Sequence, residues 1–333
     1  MPKVFSRLSF WAVIFVLLAI GCQKRDVKYT AVQTHDTALV NTNCNTILYG
    51  MVTVPDTTYL DSALTMADVN KQSGKKTSLF SYGKGSCYAN HAVIMDGLYA
   101  IMLPDKWNGS RSAKTTLRFK SLGATLYNEA VFDNTVLGLA VNTSKHTFYA
   151  AAYGPSGNDT LISFQIATGS IANIQSLGVF KHTWSSPPSL AVDERTGTVY
   201  IAGTDNATGT TIYQYSAGTS VRVVDSANPA KYSMLGLTYD PNDRNLYAID
   251  QSASANVLRI DPRSGTTTTI ATLPEPINNE FYSVAFEKCS DRLYISGKGA
   301  NSQGIMVVCD LLTGKYGSYH IPYFYQGLAI NVL

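Results

Sequence analysis

The groups on which acid–base, metal or nucleophilic chemistry could be built are sparse: five histidines, five cysteines and 23 acidic residues in 333. His35, His91, His146, His182 and His320 include no two at metal-ligand spacing, and Cys87 four residues before His91 offers only an isolated pair of donors. A structural zinc site needs four such groups. No GxSxG, HExxH, CxxC, P-loop or dinucleotide fingerprint occurs, which removes the usual sequence support for esterase, zincin, redox-dithiol and nucleotide chemistry. What remains is a set of aromatic and polar residues: Tyr88, His91, Asn134, Trp184, Tyr232, Asn279, Glu280, Tyr282 and Tyr325. Aromatic faces can stack on a sugar, peptide or other planar group while Asn, His and Glu fix its orientation. Glu280 with Asn279 and Asn134 could present oxygens to a divalent ion such as Ca2+, although hard cations recruit more ligands than these. Glu280 is the acid best placed for acid–base catalysis, and His182, close to Trp184, is the alternative base.

Those residues lie in or beside segments that lead into a repeated strand motif. Apolar-Tyr pairs occur at Leu48-Tyr49, Leu98-Tyr99, Phe148-Tyr149, Val199-Tyr200, Leu246-Tyr247 and Leu293-Tyr294, with the tyrosines 50, 50, 51, 47 and 47 residues apart. The longer pattern is clearest in LGLAVNTSKHTFYAAAY from Leu137, SLAVDERTGTVYIAGT from Ser189, LGLTYDPNDRNLYAID from Leu235 and SVAFEKCSDRLYISGK from Ser283. A short apolar strand, a turn rich in Asp, Asn, Gly and Ser, and a strand carrying the tyrosine make a β-hairpin. Asp96-Gly97 is the two-residue version of the same turn. Two further strand-like runs follow each hairpin, such as TIYQYS and VRVVDS.

Four antiparallel strands per repeat of this length predict an all-β fold, a six-bladed β-propeller over residues 44–333. Small residues at Gly138, Ser189, Gly236, Ser283 and Gly327 suit innermost strands that converge where there is little room. The stretch YQGLAINVL from Tyr325 repeats the first-strand motif without its hairpin partner, and the strand around Ile47 to Val54 lacks a first strand before it. Pairing the two would close the ring with the C-terminal strand inside the N-terminal blade and remove two open edges. The candidate ligand residues would then gather at one mouth of the central channel. The opposite-face acids Asp193, Glu194, Asp240, Asp243, Glu287 and Asp291 read as turn formers, and the repeat tyrosines as packing between blades.

Motifs such as GLAV and TVYIAG resemble the six-bladed propellers of the NHL, YVTN and SMP-30 gluconolactonase-like group over nearly all of residues 44–333. That group includes scaffolds, ligand binders, lactonases and lyases, so the resemblance implies architecture before chemistry. The leading expectation is a non-enzymatic binding platform without a cofactor. The alternative is a metal-dependent hydrolase, lactonase or lyase of SMP-30-like type with its site at the channel mouth.

Residues 1–21 combine basic Lys3 and Arg7 with an apolar run from Phe10 to Ile20, too short to span a bilayer and fitting a signal peptide. Leu18-Ala19-Ile20-Gly21-Cys22 resembles the lipobox of bacterial lipoproteins, with Ala19 where Leu is usual. The resemblance implies cleavage, a membrane anchor through lipidated Cys22, and residues 22–43 as a tether. Gln23 in place of Asp implies the outer membrane, and Lys24-Arg25 ahead of Asp26 favours its periplasmic side. Loss of Lys3 and Arg7 would leave 24 basic residues against 23 acidic, which argues against a nucleic-acid partner. The partner expected is an unknown ligand or another envelope protein. Cys44, Cys87, Cys289 and Cys309 are compatible with an oxidising compartment. A Cys289–Cys309 bridge is conceivable within one blade, Cys44 and Cys289 occupy equivalent corners that could lie too far apart, and four isolated thiols remain open.

Overall fold

The computed structural model describes Cys44 and residues 46–54, 63–69, 76–84, 92–95, 98–104, 115–121, 128–132, 136–153, 159–165, 170–176, 189–205, 209–216, 219–222, 234–250, 255–273, 278–298, 304–321 and 325–332. Every regular element among them is a β-strand, in six four-stranded sheets. The first sheet contains β1 (Thr46–Val54), β2 (Ala63–Val69) and β3 (Lys76–Lys84). The second comprises β4 (Ala92–Met95), β5 (Leu98–Pro104), β6 (Thr115–Ser121) and β7 (Asn128–Phe132). The third is β8 (Val136–Asn142), β9 (Thr147–Tyr153), β10 (Asp159–Gln165) and β11 (Ser170–Ser176). The fourth is β12 (Ser189–Asp193), β13 (Thr198–Asp205), β14 (Gly209–Ser216) and β15 (Thr219–Arg222). The fifth is β16 (Met234–Asp240), β17 (Asn245–Asp250), β18 (Asn256–Ile260) and β19 (Thr267–Thr272). The sixth is β20 (Asn278–Glu287), β21 (Arg292–Lys298), β22 (Gly304–Asp310) and β23 (Tyr316–Ile321). The remaining strand, β24 (Tyr325–Val332), joins the first sheet, pairing antiparallel with β1 from Thr46↔Val332 to Val52↔Tyr325.

Within each sheet the strands are antiparallel neighbours in chain order, apart from β24 beside β1. The first strands also meet from sheet to sheet: β4 touches β8, β8 touches β12, β12 touches β16, β16 touches β20, and β24 touches both β20 and β4. A sheet packed on both faces must be apolar on both faces, which is why β17 and β22 read as nearly continuous runs, NLYAID and GIMVVCD, without polar alternation. The outer strand β19 is by contrast largely solvent-facing, with Thr268, Thr269 and Thr272 exposed.

Apolar clusters fill the spaces between successive sheets. Leu117, Phe132, Phe148 and Phe164 lie between the second and third, and Ala151, Leu161, Val199 and Ile201 between the third and fourth. Tyr200, Ile212, Leu246 and Leu258 join the fourth to the fifth, and Ile249, Val257, Ile295 and Val307 the fifth to the sixth. Leu48, Leu328 and Tyr325 pack against Tyr294, Met306 and Tyr319 between the sixth and the first. The repeat tyrosines Tyr49, Tyr200, Tyr247 and Tyr294 are all buried, in the packing role their spacing predicts. Tyr200 stacks on Tyr239 of the next sheet, with ring centroids 5.7 Å apart.

Convergence of the first strands leaves a mark on their backbone. Register shifts fall between Val136 and Gly138 of β8, between Leu235 and Thr238 of β16, between Asn278 and Ser283 of β20, and where β24 crosses Met51 and Val52 of β1. Gly236 takes φ +65°, and a Cβ there would overlap the Val284 side chain of β20, so close approach and backbone conformation both require glycine. Such irregularities free backbone amides, and small polar side chains collect them. Ser189 Oγ accepts the Gly236 N–H at 2.9 Å, Ser283 Oγ accepts the Leu328 N–H, and Ser296 Oγ accepts the Tyr325 N–H at 3.2 Å. The serines among the small positions therefore act as acceptors for the neighbouring sheet as well as saving space.

The cysteine pairing differs from the intra-blade bridge considered above. Cys44 is bonded to Cys289, with Cα atoms 6.1 Å apart, and Cys309 is free and fully buried. Packing of the β24–β1 sheet against the sixth sheet brings the segment entering β1 beside the β20–β21 turn. Cys309 instead points into the apolar cluster shared with the fifth sheet, where burial pushes its thiol up to about 12. Cys87 lies outside the described residues.

Ser283→Ala should leave the Leu328 amide buried without an acceptor and lower unfolding free energy by about 1–3 kcal/mol in denaturant titration. Ser264→Ala, in an exposed turn, should change it by less than about 0.5 kcal/mol.

Candidate functional site

The segment expected to lead into β20 as a loop is part of the strand itself. Asn278 pairs with Lys298 and Ser283 with Ser296, so residues 279–282 face Gly297 alone. A strand that carries several extra residues must bow out of the ladder, a device common where a backbone presents side chains for binding. Asn279, Glu280 and Tyr282 occupy that bowed stretch. Sequence reading missed it as strand because NNEFY has neither apolar alternation nor a continuous apolar run. Tyr88, His91, Asn134, His182, Trp184 and Tyr232 lie outside the described residues, as does the lipidation candidate Cys22. Tyr325 was expected at the mouth but is fully buried, its ring against Gly50 between the sixth sheet and the first. It has the alternative role of an aromatic that closes a sheet interface.

The turns between the first and second strands of the third to sixth sheets lie at the other end of those first strands. Asn142 Oδ1 accepts the Lys145 N–H at 3.0 Å, Asp193 Oδ1 the Arg195 N–H at 3.0 Å, and Asp240 Oδ1 the Asn242 N–H at 2.8 Å. The last turn residue is left-handed in each case, at His146, Gly197 and Arg244, as it is at Asp291 in the sixth sheet. Asp193 and Asp240 thus serve their own turns, as their spacing predicts, whereas Glu194 bonds Thr143 of the third sheet.

Sequence reading did not find the links between turns. Thr143 Oγ1 donates to Glu194 Oε2 at 2.8 Å, joining the third sheet to the fourth, and Asn242 Nδ2 donates to Asp291 Oδ1 at 2.8 Å, joining the fifth to the sixth. Lys288 of the sixth sheet lies 3.4 Å from Glu194 of the fourth. With the lysine half exposed, this last pair contributes at most about 1 kcal/mol. No periodicity marks such contacts, because they join polar turn tips nearly fifty residues or more apart.

The electrostatics of this face centre on Asp240. Burial pushes its carboxyl up to about 6; the Asn242 amide opposes the shift, and the charges of Asp243 and Asp291 add to it. Burial likewise raises the Tyr200 phenol to about 12, with Tyr239 and Asp193 contributing, so that hydroxyl remains protonated at neutral pH.

Comparison with known proteins points to the fold. A family model described as a repeat of unknown function (DUF6923) matches residues 200–318, a stretch beginning in β13 and ending in β23. No curated protein matches. TolB from Acinetobacter baumannii superimposes with a TM-score of 0.62 at 11% identity, covering 87% of this chain and 68% of that one. A putative TolB from Agrobacterium tumefaciens gives 0.57 at 8% identity, over 88% and 99% of the two chains. A putative 6-phosphogluconolactonase from Bacteroides uniformis gives 0.53 at 14%, over 84% and 83%. These are β-propeller folds, and the chain shares that architecture with them.

The raised Asp240 carboxyl sets the sign of a pH dependence. Between its ordinary 3.8 and about 6 the folded chain holds the proton more tightly than the unfolded chain, so this residue makes stability fall as pH rises through that window. Asp240→Asn keeps an acceptor for the turn amide, as Asn142 does in the third sheet. It should remove that fall and raise stability at pH 7 relative to the parent, measured by denaturant titration across the window.

Proposed function

We propose that the chain is an envelope lipoprotein whose six sheets form one six-bladed propeller, closed by β24 in the same sheet as β1, and that one mouth binds a ligand or another envelope protein. The cyclic order of first-strand contacts and the propeller neighbours support the ring. The observation that carries the binding reading is the bowed start of β20, which sets Asn279, Glu280 and Tyr282 on an irregular backbone at the entry to a first strand. Tyr88, His91, Asn134, Trp184 and Tyr232 belong to the same mouth by their place in the repeat. No cofactor is required by this reading.

The anchor is Cys22, lipidated after cleavage of residues 1–21, with residues 22–43 as tether and the propeller beyond them. Outer-membrane attachment facing the periplasm follows from Gln23 and the basic Lys24-Arg25. Among the described residues no helix is long and apolar enough to cross a membrane.

A second reading is kept because Asn279 and Glu280 are adjacent on the bowed strand. With Asn134 they would hold a divalent ion for hydrolysis, lactone opening or elimination, with Glu280 or His182 moving the proton. The fold shared with the putative 6-phosphogluconolactonase is compatible with it.

Native mass spectrometry in Ca2+ before and after chelation separates the two readings. The platform reading expects no retained ion, together with a discrete adduct in intact cells from a photo-crosslinker at Tyr282 and none from one at Lys145, on the opposite face. A stoichiometric ion that chelation and Glu280→Gln both remove, with no adduct, would replace it with the enzyme. For the anchor, Cys22→Ser should abolish incorporation of labelled fatty acid and move the protein from the membrane to the soluble fraction.

A further inference from the structure

The β20–β21 turn departs from its equivalents in a chemically specific way. Where the third, fourth and fifth sheets place Asn142, Asp193 and Asp240 and bond the carboxyl or amide oxygen to a turn amide, the sixth places Glu287, one methylene longer. Glu287 is fully buried. Thr46 Oγ1 donates to its Oε1, Ser290 Oγ donates to its Oε2, and the Tyr294 hydroxyl reaches Oε2 at 3.4 Å. The extra length thus carries the carboxylate out of the turn toward the segment entering β1. Two residues on stands Cys289, bonded to Cys44. One carboxylate oxygen and the two sulfurs all lie within 4.8 Å of one another.

We propose that reduction of the Cys44–Cys289 bond converts this corner into a binding site for a borderline-soft divalent ion, Zn2+ above all, with Cys44 Sγ, Cys289 Sγ and a Glu287 oxygen as ligands and solvent in the fourth position. Two thiolates and a carboxylate suit zinc, whose tetrahedral donors at about 2.0–2.3 Å stand roughly 3.3–3.8 Å apart: once the S–S bond is broken the sulfurs part, with the carboxylate oxygen already within 4.8 Å of both. The hydroxyls on Glu287 orient the carboxylate, the outer arrangement that holds metal ligands in place. Cys289 is exposed and Cys44 partly so, which gives reductant and ion a way in.

The steps balance. A dithiol delivers two electrons and two protons to the disulfide and is itself oxidised to a cyclic disulfide. The ion then replaces the two thiol protons, which pass to solvent. Oxidised and metal-bound forms exclude each other, while both tie the segment before β1 to the sixth sheet.

The test uses the full chain, oxidised or reduced with dithiothreitol that is then removed under argon, and titrated with Co2+ as the spectroscopic probe. The expected result is thiolate-to-cobalt charge-transfer absorption saturating at one equivalent in the reduced protein only, reversed by Zn2+, with the β-sheet circular dichroism retained. Cys44→Ser should abolish the signal and Cys309→Ser leave it intact. Glu287→Gln should weaken Co2+ binding by at least about tenfold. The proposal is overturned by a reduced, folded protein that takes up no Co2+, by loss of the sheet signal on reduction, or by absorption that survives Cys44→Ser. It is also overturned if affinity is unchanged in a folded Glu287→Gln variant.

Discussion

Close approach of the first strands to one another is the constraint from which the rest of the described structure follows. Where first strands of neighbouring sheets meet there is little room for side chains, so Gly236 of β16 lies against Val284 of β20. Four of them also interrupt their ladder and release amides from their own sheet. A buried amide without an acceptor is among the more costly defects a fold can contain, and here Ser189, Ser283 and Ser296 supply the acceptor from the sheet before. The fourth sheet is thereby joined to the fifth, and the sixth to the first, by directional bonds as well as by apolar packing.

The pairing of β24 with β1 extends that logic to the two ends of the described chain. Without β24, β1 would present an open edge and the apolar residues around Tyr294 and Tyr319 would lose Tyr325 and Leu328. The disulfide reinforces this joint from the other side, linking residues 245 apart in sequence. In the chain-entropy account a loop that long destabilises the unfolded state by about 5 kcal/mol, more than shorter loops do. It falls where chain connectivity supplies nothing, between β1 and the sixth sheet.

The strands were legible because their signals are local and repeated. Tyrosine spacing, Asp- and Asn-led turns and the small residues of the first strands each announce a hairpin within about sixteen residues of sequence. What could not be read depends on which sheet stands beside which. The Cys44–Cys289 bond is invisible until the β24–β1 sheet is placed against the sixth. The same applies to the acceptor role of Ser189 and Ser283, and to Thr143 and Lys288 converging on Glu194. Tyr325 shows the difficulty at the level of one residue: by sequence it adjoins the mouth, yet its ring fills the space over Gly50. The bowed start of β20 escaped detection because a strand whose ladder is interrupted loses the alternation by which strands are recognised.

Repetition also makes departures informative. Three equivalent turns satisfy their own amides with an Asn or Asp, and their neighbours bond across to them, so the polar residues of that face are occupied in holding the turns together. A carboxylate used this way has little freedom to do chemistry. At the sixth turn the added methylene of Glu287 breaks the pattern, and the oxygens that elsewhere serve the turn amide instead receive hydroxyls and stand beside two sulfurs. At the entry of β20 a different departure, several residues facing one, interrupts a ladder that β12 keeps in unbroken register with β13. Glu287 is set apart by its length, and the β20 interruption, four residues facing one, is longer than those of β8, β16 and β24. That contrast separates these two places from the many Asp, Asn and Tyr residues whose recurrence is explained by the fold alone.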